Sequence, residues 1–113
     1  MKPRPKRGAS LATKERLAAM VEEATVDCYG EAEQATGWLC ALEEYLELPF
    51  KTEVLGVTVT VSEIELRDDN AIVAWCSRAR TRQAILLADL PLPCPGPEGA
   101  EWVDAYRHFL GRR

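Results

Sequence analysis

Eight carboxylates and no basic residue occupy the thirty positions from Val21 to Phe50. Carboxylates this close together repel one another at neutral pH unless a positive charge lies among them. A bound hard cation, the basic surface of a partner protein or plain solvation by water could each accommodate such a group. The eight residues are Glu22, Glu23, Asp27, Glu31, Glu33, Glu43, Glu44 and Glu47.

A first amphipathic helix must position the beginning of this acidic segment. Ser10 or Thr13 can cap it, and it is predicted to run to about Cys28 and to end at Gly30 in the left-handed conformation. Asp27 would then lie in the last helical turn, where the helix dipole disfavours a negative charge. The apolar face, spaced as a helix requires, consists of Leu17, Met20, Val21, Ala24 and Cys28.

A second helix, predicted from Glu31 to Leu46, carries most of the remaining carboxylates. At about 100° per residue, Glu33 and Glu44 project in nearly the same direction, and Glu43 and Glu47 lie one turn apart beside them. Like charges at this spacing cost a few tenths of a kcal/mol per pair. The helix also has a continuous apolar stripe, formed by Ala35, Trp38, Leu39, Leu42, Tyr45 and Leu46.

Gly37 and Pro49 indicate what lies beside the second helix and where it ends. Gly37 costs about 1 kcal/mol relative to alanine inside a helix, which indicates that another element, the first helix, approaches its backbone closely. Pro49 ends the helix. Beyond it the pattern changes to the two-residue period of strands, with Gly56 marking a bulge or bend.

The second half is predicted to be β-rich, with a short helix at the end. The Asp68-Asp69-Asn70 sequence predicts a turn rather than a cation site, since asparagine tolerates positive φ. Trp102 is expected to pack in the core. The predicted strands are Thr52–Leu55, Val57–Val61, Ala71–Ser77 and Gln83–Ala88, a basic connection spans Arg78–Arg82, and the last helix spans Glu98–Leu110.

These elements predict an α+β fold. Two N-terminal antiparallel helices pack on a small antiparallel sheet that could close into a barrel, and a short C-terminal helix completes the core. Residues 1–9 are predicted to be a disordered basic tail, because they combine prolines, a glycine and four basic residues with little to bury. Residues 10–113 are predicted to form a single domain.

Composition narrows the classes of function. The net charge of −4 argues against general binding to nucleic acid or to acidic membranes. No apolar run is long enough to cross a bilayer and no signal-peptide pattern is visible, so we expect a cytoplasmic protein. The four cysteines form no C-x-x-C pair and there is one histidine, which argues against a structural zinc site and a cysteine nucleophile. We expect free thiols, with Cys28 and Cys40 at partly buried helix positions.

Enzymatic motifs are absent as well. The sequence contains no EF-hand loop, no glycine-rich phosphate loop and no nucleophile elbow. A catalytic carboxylate pair needs one member in a pocket that raises its pKa, and nothing in the sequence indicates such a pocket. We therefore expect the protein not to be an enzyme.

The residue pattern from Asp27 to Phe50 resembles that of small bacterial calcium-binding proteins first known from cyanobacteria, the CcbP-like family. The pattern reads Asp27-x-Tyr29-Gly30-x-x-Glu33-Gln34-Ala35-x-Gly37-Trp38, then Leu42-Glu43-Glu44-x-Leu46-x-x-Pro49-Phe50. The order of elements, two helices and then a β-rich half, is similar too. The position of Glu44 is commonly aspartate in the family, and Leu48 stands where a phenylalanine is usual.

The resemblance implies a Ca²⁺ site that is not an EF-hand and is built from acidic side chains of the helical half. Glu43 and Glu44 are expected at its centre, with Asp27 and Glu33 brought near them and Glu31 and Glu47 as outer ligands. Ca²⁺ accepts six to eight oxygens in loose geometry, whereas Mg²⁺ demands an octahedron and should bind less well. The expected dissociation constant is on the order of 10⁻⁶ to 10⁻⁴ M, as for a buffer or a sensor.

Two alternatives from other classes remain at this stage. The acidic helix face could bind a basic protein partner without any metal, and salt-sensitive binding that ignores chelators would identify that case. An RNA-contacting β-barrel could instead use Arg78, Arg80 and Arg82, in which case polyanions would bind tightly and changing the three arginines would abolish binding. The oligomeric state is not predicted.

Overall fold

Three helices and a four-stranded antiparallel sheet make up residues 13–111, the part of the chain that the computed structural model describes. The predicted α+β class is confirmed, and the expectation for residues 1–9 lies outside the described residues. None of the described helices is long and apolar enough to cross a membrane. In chain order the elements are α1 (Lys14–Ala24), α2 (Glu31–Tyr45), β1 (Phe50–Val54), β2 (Val57–Leu66), β3 (Ile72–Arg78), β4 (Thr81–Leu86), a 3₁₀ turn (Leu87–Asp89) and α3 (Ala100–Phe109).

The sheet is an open meander in the order β1-β2-β3-β4, with every neighbouring pair antiparallel. It does not close into a barrel. Leu55 and Gly56 form the two-residue turn between β1 and β2, and both have positive φ (50° and 79°), as a tight hairpin requires. The bulge expected near Gly56 lies instead in β2, where Ser62 is the extra residue between the pairs made by Val61 and Glu63.

One core joins the sheet to α2 and α3. Trp38 and Leu42 of α2 are fully buried, as are Val61 of β2 and Val103 of α3. The Trp38 ring lies in edge contact with the Trp102 ring at a centroid distance of 6.4 Å, which confirms that Trp102 packs in the core. Burial of these large side chains, worth about 1.5–3 kcal/mol each, fixes which face of α2 points inward.

The end of α1 differs from the prediction. Thr13 caps the helix as expected, accepting from the Arg16 N–H at 3.1 Å, but α1 ends at Ala24 and Cys28 lies beyond it. Gly30 is the extended N-cap of α2, and the left-handed residue is Asp27, with φ of 61°. Asp27 therefore lies in the connecting loop and not in a helical turn. Aspartate is one of the few non-glycine residues that adopt this conformation at low cost, so both positions were compatible with the sequence.

The end of α1 and the connection that follows it pack against α2 at Gly37. A Cβ atom at this position would lie 2.4 Å from the carbonyl oxygen of Ala24 and 3.2 Å from Cys28 Sγ. The expected close approach is confirmed. Because the nearest obstacle is backbone rather than a flexible side chain, it cannot move aside without shifting α1.

We predict that Gly37→Ala destabilises the protein. Overpacking costs typically 1–3 kcal/mol, and a 2.4 Å contact with backbone belongs at the upper end of that range. The better helix propensity of alanine returns about 1 kcal/mol, so the net loss should be about 2 kcal/mol. The free energy of unfolding in urea measures it. Thr36→Ala, at the adjacent exposed position of α2, is the control and should be neutral or stabilising. A Gly37→Ala protein as stable as wild type would contradict the close packing described here.

Candidate metal site

Five of the six predicted ligands lie in two groups at opposite ends of α2, and Asp27 lies in the loop before this helix. Fifteen residues at 1.5 Å per residue separate the ends of this helix by about 21 Å. Ca²⁺ holds its ligand oxygens at 2.3–2.6 Å, so one ion cannot contact both ends. Glu33 and Glu43 are ten residues apart on this helix, about 15 Å along its axis, so the structure does not bring Glu33 next to Glu43 and Glu44. All six side chains are exposed to solvent.

The first group, Glu31 and Glu33, lies at the N-terminal end of α2, and Asp27 precedes it in the loop, next to Cys28, whose Sγ lies beside Gly37 in the middle of the helix. Glu33 Oε1 accepts a hydrogen bond from the backbone N–H of Tyr29 at 2.8 Å, and Glu31 lies in the first turn. Negative charge is favourable at a helix N-terminus, because the free N–H groups and the dipole present positive charge there. Glu31 and Glu33 therefore have a structural role that needs no cation.

The second group, Glu43, Glu44 and Glu47, surrounds the C-terminal end of α2. The last turn of this helix contains no basic residue, although a helix C-terminus already carries partial negative charge on its free carbonyls. The extended segment before α3 closes the same end: Glu47 N–H donates to Glu98 O at 2.8 Å, and Glu98 N–H donates to Glu47 Oε1 at 3.2 Å. The charges at this end are locally unfavourable.

Tyr45 connects a fourth carboxylate, that of Glu23 in α1, to the second group. Its hydroxyl donates to Glu23 Oε2 at 3.2 Å, and its ring stacks on Trp102 at a centroid distance of 4.7 Å. The negative charges of Glu44 and then Glu23, together with the hydrogen bond to Glu23, raise the pKa of Tyr45. Glu23 and Glu44 therefore act on one phenol from two different helices.

Sequence reasoning missed Glu23 and Glu98 as members of this group. Glu23 was not among the six predicted ligands, and Glu98 is 51 positions from its partner Glu47. Neither contact follows from spacing along the chain, because each depends on how the helices and the Pro-rich segment pack. We call Glu23, Glu43, Glu44, Glu47 and Glu98 the C-terminal acidic group.

No carboxylate between Val21 and Phe50 forms an ion pair with a basic residue of the described chain. Within residues 13–111, no three histidine, cysteine, aspartate or glutamate side chains are already arranged to hold a metal ion. The ion pairs that do form are Arg16–Glu101, Arg67–Asp69, Arg82–Glu63 and Arg107–Asp104.

The donor chemistry of the C-terminal acidic group fits Ca²⁺ better than any softer metal. Its side chains offer only carboxylate and phenol oxygens, which hard cations prefer. The carboxylates of Glu43 and Glu44 are exposed and can rotate toward an ion, and water can complete a loose coordination shell. Binding therefore requires side-chain rearrangement but no change of fold.

One basic residue near β4, Arg82, is already held by contacts within the sheet. Arg82 donates to Glu63 Oε2 at 2.6 Å, and its guanidinium lies 4.1 Å from the centre of the Trp75 ring.

All four thiols are free, as expected. The expected helix positions are wrong for Cys28, which lies in the loop, and the expected partial burial is wrong for Cys40, which is exposed.

Comparison with known proteins agrees with the donor chemistry. The sequence profile of a family described as calcium binding, the CcbP family, matches residues 18–88. A crystal structure of Anabaena CcbP superposes with a TM-score of 0.69 at 20% identity, covering 93% of this chain and 97% of that one. A calcium-binding protein in its calcium-binding form gives the same TM-score at 18% identity, covering 94% and 98%. No curated protein sequence matches significantly.

We predict that Glu44→Gln and Glu23→Gln each lower the pKa of Tyr45, because each removes a negative charge that opposes ionisation of the phenol. The absorbance of tyrosinate during an alkaline titration measures this pKa, with Tyr45→Phe identifying the signal. Glu22→Gln, which removes the neighbouring charge on α1, should leave the pKa unchanged. Equal effects from Glu22→Gln and Glu23→Gln would contradict the proposed contact.

Proposed function

Because the chain belongs to the CcbP family of calcium-binding proteins, we propose that it binds Ca²⁺ at the C-terminal acidic group and serves as a cytoplasmic calcium buffer or sensor. The observation that carries this proposal is the concentration of carboxylates at the C-terminal end of α2, where the last turn contains no basic residue and no carboxylate of residues 21–50 forms an ion pair within residues 13–111. The proposal includes no catalysed reaction.

Glu43 and Glu44 are the central ligands in this proposal. They are adjacent on the last turn of α2, and the charge of Glu44 acts on the Tyr45 phenol, whose hydroxyl donates to Glu23. An ion held here is attracted by several carboxylates and by the negative end of the α2 dipole at once. Glu23 and Glu47 are placed to approach the ion from α1 and from the chain after α2.

Asp27, Glu31 and Glu33 belong to a second, weaker group in this proposal. The N-terminal end of α2 supplies positive partial charge, and Glu33 already accepts a backbone N–H. Both features reduce the attraction of these carboxylates for a cation. We therefore assign them at most a low-affinity site, separate from the first.

Selectivity for Ca²⁺ over Mg²⁺ follows from the openness of the group. Exposed carboxylates on two helices and a loop supply a variable number of oxygens at adjustable distances, which Ca²⁺ tolerates. Mg²⁺ needs six ligands in a tight octahedron and releases its water reluctantly, so these side chains would contact it mainly through water. The proposed dissociation constant for Ca²⁺ is on the order of 10⁻⁶ to 10⁻⁴ M.

We predict that Glu43→Gln/Glu44→Gln weakens Ca²⁺ binding by roughly 100-fold, since changes that only orient metal ligands already cost 10–100-fold. Isothermal titration calorimetry in low-calcium buffer measures the dissociation constant. Asp27→Asn/Glu33→Gln should change it by less than about threefold, because Asp27 lies in the loop before α2 and Glu33 lies about 15 Å from Glu43 along the helix axis.

The matched control is Glu53→Gln/Asp68→Asn, which removes the same two charges from exposed positions of the β half. It should leave Ca²⁺ binding nearly unchanged. Equal weakening in all three double variants would mean that net charge alone attracts the ion. Loss of binding only in Asp27→Asn/Glu33→Gln would move the site to the loop between α1 and α2.

A further inference from the structure

The chain between the 3₁₀ turn and α3 ends against the proposed calcium site, and we call its residues 90–99 the connecting segment. Its beginning is held by β1, because Thr52 Oγ1 donates to Pro91 O at 2.6 Å. Its end is held by the chain just beyond α2, because Glu47 N–H donates to Glu98 O at 2.8 Å. The connecting segment therefore reaches the C-terminal acidic group with both of its ends fixed to the rest of the fold.

The connecting segment ends in a type II turn. Ala100 N–H donates to Pro97 O at 3.1 Å, and Gly99, at the third position of the turn, has φ of 85° and ψ of 6°. Glu98, at the second position, does not have a positive φ, which distinguishes the turn from the type I′ form. A Cβ atom on Gly99 would lie 2.8 Å from Leu46 Cα, so glycine lets the turn pack directly on the end of α2.

This turn directs a backbone donor at one carboxylate of the proposed calcium site. Glu98 N–H donates to Glu47 Oε1 at 3.2 Å, so the two residues exchange two hydrogen bonds. Glu47 is exposed and lies beyond the last residue of α2, and without this donor its side chain would rotate freely. The hydrogen bond at Oε1 leaves Oε2 for an ion. Glu47 is thus restrained while its second oxygen stays available.

We propose that Glu98 is a positioning residue for the calcium site and acts through its backbone N–H, not through its carboxylate. The N–H holds the Glu47 carboxylate where an ion can bind Oε2, so Glu47 loses little further freedom when Ca²⁺ binds. Donors that orient metal-ligating side chains typically contribute about 10–100-fold to metal affinity. The inference rests on the proposed binding of Ca²⁺ at the C-terminal acidic group. The competing arrangement, in which Ca²⁺ takes Glu47 away from the turn, predicts opposite results.

Glu98→Pro and Glu98→Ala separate the effect of the N–H from that of the carboxylate. Both variants lack the carboxylate, but only proline lacks the N–H, and the second position of a type II turn favours proline. Isothermal titration calorimetry should give a Ca²⁺ dissociation constant about tenfold higher for Glu98→Pro than for Glu98→Ala. In the competing arrangement, Glu98→Pro would instead bind Ca²⁺ more tightly, because a rival for the Glu47 carboxylate is gone.

A second measurement uses the wild-type chain and needs no substitution. Hydrogen exchange of the Glu98 N–H, followed by NMR, should slow when Ca²⁺ saturates the protein, because the ion fixes the acceptor of this N–H. In the competing arrangement the exchange would become faster, because the acceptor leaves.

Removal of the Glu47 side chain should abolish the difference between the two Glu98 variants. In a Glu47→Ala background, Glu98→Pro and Glu98→Ala should have Ca²⁺ dissociation constants within about twofold of each other, since the N–H acts through Glu47. A general structural effect of proline would persist in that background and would overturn the inference. Equal affinity of the two single variants, tighter binding by Glu98→Pro, or faster exchange of the Glu98 N–H in Ca²⁺ would also overturn it.

Two results separate this inference from the proposed function. Ca²⁺ binding by the wild type that is lost in Glu43→Gln/Glu44→Gln, together with equal affinity of the two Glu98 variants, would overturn the inference alone. Absence of Ca²⁺ binding by the wild type would overturn both.

Discussion

Burial of one face of α2 is the constraint on which the rest of the structure depends. Trp38, Leu42 and Leu46 are buried at helical spacing between the sheet and α3. With this face turned inward, Glu43, Glu44 and Glu47 can only point to solvent. The helix cannot rotate to redistribute its charges, since rotation would expose two of the largest core side chains at about 1.5–3 kcal/mol each.

Because α2 cannot rotate, its two ends differ in their electrostatics. At the N-terminal end of α2, Glu31 and Glu33 complement the helix dipole. At the C-terminal end, the carboxylates add to the negative end of the dipole, and α1 contributes Glu23 through Tyr45. The chain places no basic residue in that last turn. The negative charge of the side chains is therefore offset by the helix dipole at the N-terminal end only, which is why we propose the cation site at the C-terminal end.

The elements of the fold could be predicted from periodicity, but the junctions between them could not. The apolar stripe of α2 and the close approach at Gly37 follow from spacing and from the cost of glycine in a helix. The end of α1 does not, because Asp27 and Gly30 can both adopt the left-handed conformation and packing decides between them. Sheet closure depends on whether β1 and β4 meet, which is a long-range property.

The candidate site could likewise be predicted only where it depends on local spacing along the chain. The acidic segment is visible in the residue pattern, and Glu43 and Glu44 stay its predicted centre. The pattern also predicted Glu33 close to them, but α2 is about 21 Å long at 1.5 Å per residue and separates them. Glu23 and Glu98 enter through tertiary contacts that no local spacing encodes.

The most direct test of the central claim, that Ca²⁺ supplies the missing positive charge, is thermal unfolding in chelator, in Ca²⁺ and in Mg²⁺ at equal ionic strength. At 100 times its dissociation constant, a ligand of the native state adds about 2.7 kcal/mol of stability. For a chain of this size the unfolding midpoint should rise by roughly 10 °C in Ca²⁺ and by much less in Mg²⁺. An equal, small rise with both ions would mean that the acidic surface is merely screened, and would contradict the account.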